Sequence, residues 1–269
     1  MSAIKIHKKN AMFAALLSLT VLVLSPPLLA KEKVIVWSYY ESPPFVVDMM
    51  EKKGLSFDFV EMLNLSKDND QYEFVLKLVP RKRLNTYLSN DDRGIVLWVN
   101  PLFFDDKNKT RYKWTRRILE DEQSFISRAS DPFIFKDAKS LTEPNFILGG
   151  IRGHIYTGIQ NKIDEGLIKR HDVSRENQFI GMLLTKRVNT FLIPYTTMKY
   201  YEQSMGLTGK IFYSPKPLNS YTRSILVNHK SDVFKFLSKT VDNLANNKSW
   251  KVLLDRYNLE VASNKKTDF

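Results

Sequence analysis

Short apolar runs rich in β-branched residues alternate along this chain with stretches whose apolar side chains recur at helical spacing. That alternation constrains the fold more than any other feature. Residues 34–37 (VIVW) form the first run, which ends at Tyr39, Tyr40 and the turn-forming Pro43 and Pro44. Ser56 can cap a helix that carries Phe59, Val60 and Leu63 on one face. Residues 72–79 alternate Phe74, Leu76 and Leu78 as a strand would, and Pro80 suits the first turn of a helix bearing Leu84, Tyr87 and Leu88. Residues 94–99 (GIVLWV) read as a buried strand, with further strands expected at Phe125 and Ile126, over 146–151 and over 190–193. Tyr156, Ile159, Ile163 and Leu167 have helical spacing, as do Phe179, Ile180, Leu183 and Leu184. Two amphipathic helices follow, one through Val233, Leu237, Val241 and Leu244, the other through Trp250, Leu253, Leu254 and Tyr257. Strands alternating with helices imply an α/β protein with mostly parallel sheets. Ser263 to Phe269 read as a loose polar tail.

The first thirty residues stand apart from this pattern. Lys5, Lys8 and Lys9 precede an apolar run over 11–24, then Pro26, Pro27 and the small residue Ala30 before the charged Lys31. A positive start, a short apolar stretch and a small residue at the cut describe a cleaved secretory signal peptide over 1–30. The run is shorter than the roughly 20 residues a spanning helix needs. Leu28 stands where a small residue is preferred, so an uncleaved anchor is the alternative. Export to the periplasm is the expectation.

Composition narrows the chemistry. At 43% hydrophobic and 26% charged, the 269-residue chain is ordinary globular material. It has no cysteine, which excludes disulfide scaffolds, thiolate metal sites, iron–sulfur clusters and thiol nucleophiles. The formal charge of +12 falls to +9 once the three lysines of the leader are removed. The remaining basic residues occur in short groups such as Arg81-Lys82-Arg83 and Arg116-Arg117, without the dense stripe that nucleic-acid binding requires. A field favouring an anionic ligand or an anionic membrane surface is the plainer reading.

Reacting constellations are missing from the sequence. His7, His154, His171 and His229 are isolated, so no histidine metal site is expected. No G-x-S-x-G elbow or phosphate-binding P-loop occurs. Gly149, Gly150 and Gly153 do not form a dinucleotide fingerprint and read as a tight strand-to-helix turn. The triplet Glu120-Asp121-Glu122 reads as a solvated face. A non-enzyme without metal or cofactor is expected.

The order of segments carries a resemblance. Pro43-Pro44-Phe45 followed by residues 54–60 (GLSFDFV) resembles the "PPF … GFDVDL" opening of bacterial extracellular solute-binding proteins of family 3, the periplasmic receptors of polar amino acid ABC transporters. Trp114-Thr115 is similar to the "FS" before the family's first crossover. Ser140-Leu141 with residues 147–153 is similar to its "sLkGk.vgv..G", and Arg187-Val188-Asn189-Thr190 to its "GRvDA". Residues 223–227 resemble the returning strand, and Trp250 with Tyr257 the closing "w..i…Y" helix. The resemblance spans nearly all of 31–260. It implies a two-lobe type II periplasmic-binding α/β fold with mixed, mostly parallel sheets and a ligand cleft between lobes. Lobe one would be 31–122 plus 223–269, and lobe two 123–222.

Departures from the family bear on the ligand. Residues 98–104 (WVNPLFF) stand where the family has "S.siT.eR", with Arg111 the nearest candidate for its arginine and Lys109 a rival. Pro194-Tyr195 stand where the family's aspartate accepts from the ligand ammonium. A buried ammonium without a carboxylate is costly, which argues against a standard α-amino acid. The resemblance places Tyr39, Tyr40, Trp98, Tyr156 and Tyr195 at strand or turn ends facing the cleft, with Asn100, Arg111 and Arg152 as polar anchors. Packing roles stay open for Trp98, for Tyr156 and for one of Tyr39 and Tyr40. The expected function is capture of a small polar or anionic ligand by lobe closure, as a monomer, for a membrane permease. A sensor that presents its closed state to a signalling receptor is the alternative.

Overall fold

A computed structural model describes residues 30–90, 92–229 and 231–260. The leader and the polar tail expected from the sequence lie outside the described residues. In chain order the elements are β1 (Glu32–Ser38), α1 (Leu55–Asn64), β2 (Tyr72–Leu78), α2 (Arg81–Ser89), β3 (Ile95–Val99), β4 (Lys113–Trp114), β5 (Leu119–Arg128), β6 (Ile147–Ile151), α3 (Gln160–Asp164), β7 (Lys169–Val173), α4 (Gln178–Leu184), β8 (Thr190–Pro194), α5 (Tyr195–Ser204), β9 (Ile211–Tyr213), β10 (Asn219–Val227), α6 (Phe234–Asp242) and α7 (Lys248–Arg256). Among the described residues no helix is long and apolar enough to cross a membrane.

The strands join in the order β2-β1-β3-β10-β5-β8-β6-β7, with β4 on β10 and β9 on β5. Pairing is parallel within each end of this path, at β1–β3, β6–β7 and β6–β8. It is antiparallel wherever β5 or β10 takes part. The sheet is therefore mixed, and its antiparallel centre comes from two long strands that each serve both ends. β10 pairs with β5 from Asn219 to Arg223 and then with β3 from Ser224 to Val227. β5 pairs with β10 through Leu119–Gln123 and then with β8 through Gln123–Ser127.

Each half has its own apolar interior. Around β1, β2, β3 and the end of β10 pack Leu55, Phe59, Leu63, Leu237, Trp250 and Leu254, so α1, α6 and α7 cover this half. Around β5 to β9 pack Phe179, Ile180, Leu183 and Met198 on one face, and Phe125, Leu148 and Ile159 on the other. Burying each such side chain contributes about 1.5–3 kcal/mol before entropy is counted. The α7 start is fixed locally: the Asn247 side chain accepts from the Trp250 amide at 3.0 Å, as an N-cap should.

Two local expectations change. Ser56 lies inside α1, and Gly54 takes the cap position at φ 135°, where a Cβ would meet the Phe45 carbonyl oxygen at 2.6 Å. The helix expected from Tyr156 to Leu167 shrinks to Gln160–Asp164. Gly158 and Gly166, at φ 98° and 72°, break it on both sides and leave Leu167 exposed.

Candidate functional site

Strand alternation points Arg223 inward. Residues 223, 225 and 227 share one face of β10, and Ile225 and Val227 are fully buried, so the guanidinium projects toward the interior between the two halves. It is 1% exposed. Its Nε and Nη2 donate to Asp121 at 2.8 and 2.5 Å, Nη1 donates to the Trp98 carbonyl at 2.9 Å, and Nη2 also reaches the Tyr221 hydroxyl at 3.2 Å. The rings of Phe45, Tyr40 and Tyr221 lie 4.6, 4.8 and 5.2 Å from its central carbon. Burial opposes the charge, but Tyr221 and Asp121 outweigh it, so the guanidinium is held well above its ordinary value. Asp121 also accepts from the Thr196 amide at 3.1 Å and the Thr196 hydroxyl at 2.9 Å, which ties β5 to the first turn of α5.

Trp98 shapes the same interior through its backbone. Ser224 opposes Val99 and Leu226 opposes Val96, so β3 carries an extra residue there. Trp98 adopts φ 62°, a left-handed conformation that costs a bulky residue about 1–3 kcal/mol. Its carbonyl serves Arg223, while its indole Nε1 donates to Ser56 Oγ at 2.9 Å. The ring is fully buried among Phe45, Phe59 and Trp250.

Above this cluster the loops meet. Tyr39 and Tyr40 stack at 4.4 Å and share a 3.0 Å hydroxyl–hydroxyl hydrogen bond, with Arg81 5.0 Å over the Tyr39 ring. Burial, reinforced by Tyr40, lifts the Tyr39 phenol well above its usual range. From the other half, Glu176 lies in the turn between β7 and α4. Burial pushes the Glu176 carboxyl up, with Ser42 and Arg223 opposing, and its Oε2 is buried with no hydrogen-bond partner.

The eight residues expected at the site fall into three groups. Tyr39, Tyr40 and Trp98 gather around Arg223. Asn100 and Tyr195 line a cavity of about 1040 Å³ beside β5 and β10, together with Thr222 and Lys199. Asn100 is tied down there, accepting from the Leu102 amide at 3.0 Å and donating to the Thr222 carbonyl at 2.8 Å. Tyr156, Arg111 and Arg152 lie elsewhere. Tyr156 is core, its hydroxyl accepting from the Ile151 amide at 3.0 Å. The two arginines are exposed, and Arg111 lies over the ring of Tyr112.

The sequence reading missed Asp121, Thr196, Glu176, Tyr221 and Arg223. Asp121 sits in an acidic triplet read as a solvated face, yet its side chain is 0% exposed. A cation in phase with Ile225 and Val227 was the available signal for Arg223. Nothing local marks Glu176.

No protein-family model matches the chain, and no curated protein matches it. Solved structures do. The GluR0 ligand-binding core from Nostoc punctiforme in complex with L-glutamate aligns with a TM-score of 0.60 at 16% identity, over 83% of this chain and 98% of that one. A mutant of ArgBP from T. maritima gives 0.61 at 15% identity, over 84% and 94%. The fold is the type II periplasmic-binding fold. An ancestral cationic amino acid solute-binding protein (AncCDT-1) shares this type II periplasmic-binding fold at a TM-score of 0.64 and 12% identity, over 84% and 95%. Glutamate in one and cationic amino acids in another show that the type II fold leaves the ligand's charge to the side chains.

Proposed function

We propose that the protein is a periplasmic solute-binding protein of the family 3 kind, which captures a small polar solute by closing two lobes and delivers it to a membrane permease. The observation that carries this reading is the pair of strands β5 and β10, which run between two separately cored halves and are in register from Asn219↔Gln123 to Arg223↔Leu119. Lobe one is 31–122 with 223–269, and lobe two is 123–222. Two strands joining two packed bodies form a hinge, and hinge closure is a route to ligand capture. A standard α-amino acid is disfavoured: β8 ends in Pro194 and α5 starts at Tyr195, where the family's ammonium-binding aspartate is expected. The protein acts as a monomer after its leader is removed.

Ligand-dependent stabilisation tests this. At 100 times the dissociation constant, a captured solute raises the unfolding free energy by about 2.7 kcal/mol. A thermal-shift screen of amino acids, organic acids, peptides and polyamines that moves no midpoint rejects the reading.

A further inference from the structure

We propose that the cavity of about 1040 Å³ beside β5 and β10 takes a small organic dianion, a dicarboxylate, held between cations of the two halves. This rests on the solute-binding reading and names the chemistry of its ligand.

The cations reach the cavity from different halves. Lys107, Lys109, Arg116 and Arg117 come from the segment between β3 and β5, and Lys199 comes from α5. The two lysines of the first group sit on a loop whose shape is fixed from within. Asp106 is 3% exposed. Its Oδ1 accepts from the Thr110 and Arg111 amides at 2.8 and 2.9 Å, and its Oδ2 from the Tyr112 amide at 3.1 Å and the Trp114 indole at 2.7 Å. One buried carboxylate thus orders the backbone that carries Lys107 and Lys109 before any ligand arrives, which lowers the cost of binding.

The donors of these cations are largely unspent. Among the described residues Lys107 and Lys109 make no ion pair. Arg116 stands 3.6 Å from Asp242, beyond hydrogen-bonding distance, and both side chains are exposed. Lys199 gives one of its three donors to Glu202, at 2.8 Å. The carboxylates of the same walls are engaged or in solvent. Asp121 holds Arg223 and Thr196, Glu122 accepts from the Ser124 hydroxyl at 2.7 Å, Glu120 lies 3.6 Å from Arg117, and Glu260 is exposed. Charged donors in want of acceptors favour a solute rich in carboxylate oxygens. The volume, at the upper end of the roughly 300–1,000 Å³ usual for small-molecule pockets, exceeds what one anionic group fills. A solute charged at both ends engages the cations of both halves, which couples recognition of charge to closure.

The test titrates the full-length exported protein with malonate, succinate, glutarate and adipate by isothermal calorimetry. Each acid is run beside its diamide, which keeps the skeleton and removes the charge. Glycerol 3-phosphate, L-glutamate, putrescine and glucose complete the set. The expected result is binding of at least one dicarboxylate, loss of binding in its diamide, and weaker binding at about 0.15 M salt than at about 0.01 M. Arg116→Gln and the double variant Lys107→Gln with Lys109→Gln are each expected to bind it about 10-fold or more weakly. These side chains are exposed, so both variants should melt as the wild type does. If one fails to fold, the acid-against-diamide comparison on the wild type decides alone. Equal affinity in both variants, or binding of the diamides, overturns the assignment. Binding of glycerol 3-phosphate, L-glutamate, putrescine or glucose without any dicarboxylate overturns it and leaves solute capture standing. If no probe binds, the assignment falls, and solute capture is judged by its own thermal-shift screen.

Discussion

Asp121 on β5 and Arg223 on β10 form an ion pair of 2.5 Å, with side chains 0% and 1% exposed, inside the two strands that connect the halves of the molecule. Its strength lies in completeness. Asp121 is further satisfied by Thr196, Arg223 by Trp98 and Tyr221, so neither charge is left bare.

Removing one partner strands the other. Asp121→Ala and Arg223→Ala are each expected to lower stability by about 3–5 kcal/mol. The double variant Asp121→Leu with Arg223→Met is expected to recover most of that loss, because no buried charge remains. Urea denaturation of the four proteins checks both statements. Additive losses in the double variant would show that the pair has no special coupling.

The Trp98 indole depends on one hydroxyl. Ser56→Ala leaves a buried N–H without an acceptor and is expected to cost about 1–3 kcal/mol. Trp98→Phe in the Ser56→Ala background should then add less than Trp98→Phe alone, since the unsatisfied donor has gone. Chemical denaturation of the double-mutant cycle reads this directly.

Glu176 gives the stability a pH dependence. Burial holds its carboxyl above the ordinary value of 4.5, with Ser42 and Arg223 opposing and Asp121 reinforcing. Tyr156, Tyr201 and Tyr221 face it as raised, neutral phenols. The folded protein keeps this proton to a higher pH than the unfolded chain does. Its contribution is full below the unfolded value and is lost as pH rises through the raised one. Unliganded wild type should therefore lose unfolding midpoint from about pH 4.5 upward relative to Glu176→Gln. Parallel curves for the two proteins would contradict the shift.

Tyr156, Arg111 and Arg152 are expected to separate stability from binding. Tyr156→Phe removes the acceptor of the Ile151 amide and should cost about 1–3 kcal/mol. Arg111→Ala and Arg152→Ala change exposed side chains and should stay within about 0.5 kcal/mol. All three should bind solute as the wild type does. A selective loss of affinity in any of them would return that residue to the cleft.

Much of the fold is legible in the chain because its signals are local. Residues 94–99 are an unbroken apolar run and become β3, buried at every position from Ile95 to Val99. The spacing of Leu237 and Val241, then Trp250, Leu253 and Leu254, matches the buried faces of α6 and α7. The site is less legible because its partners are remote. Asp121 and Arg223 are 102 positions apart, and the acidic triplet around Asp121 looks solvated until the strand's alternation is paired with that of β10. Trp98 is ambiguous for another reason: its backbone serves the interior while its ring serves the core. Glu176 sits in a polar turn whose neighbours become visible only when the halves meet.

The sheet order also sets a schedule for chain assembly. The strands β5 to β9 are continuous in the chain, so their half can close its interior as soon as residue 213 has emerged. The half that begins first finishes last. Val96 on β3 waits for Leu226, more than a hundred positions downstream, before its open edge is covered. Until then a wholly apolar strand is available to any stray β-partner, and that interval is when the nascent polypeptide most needs shelter from aggregation.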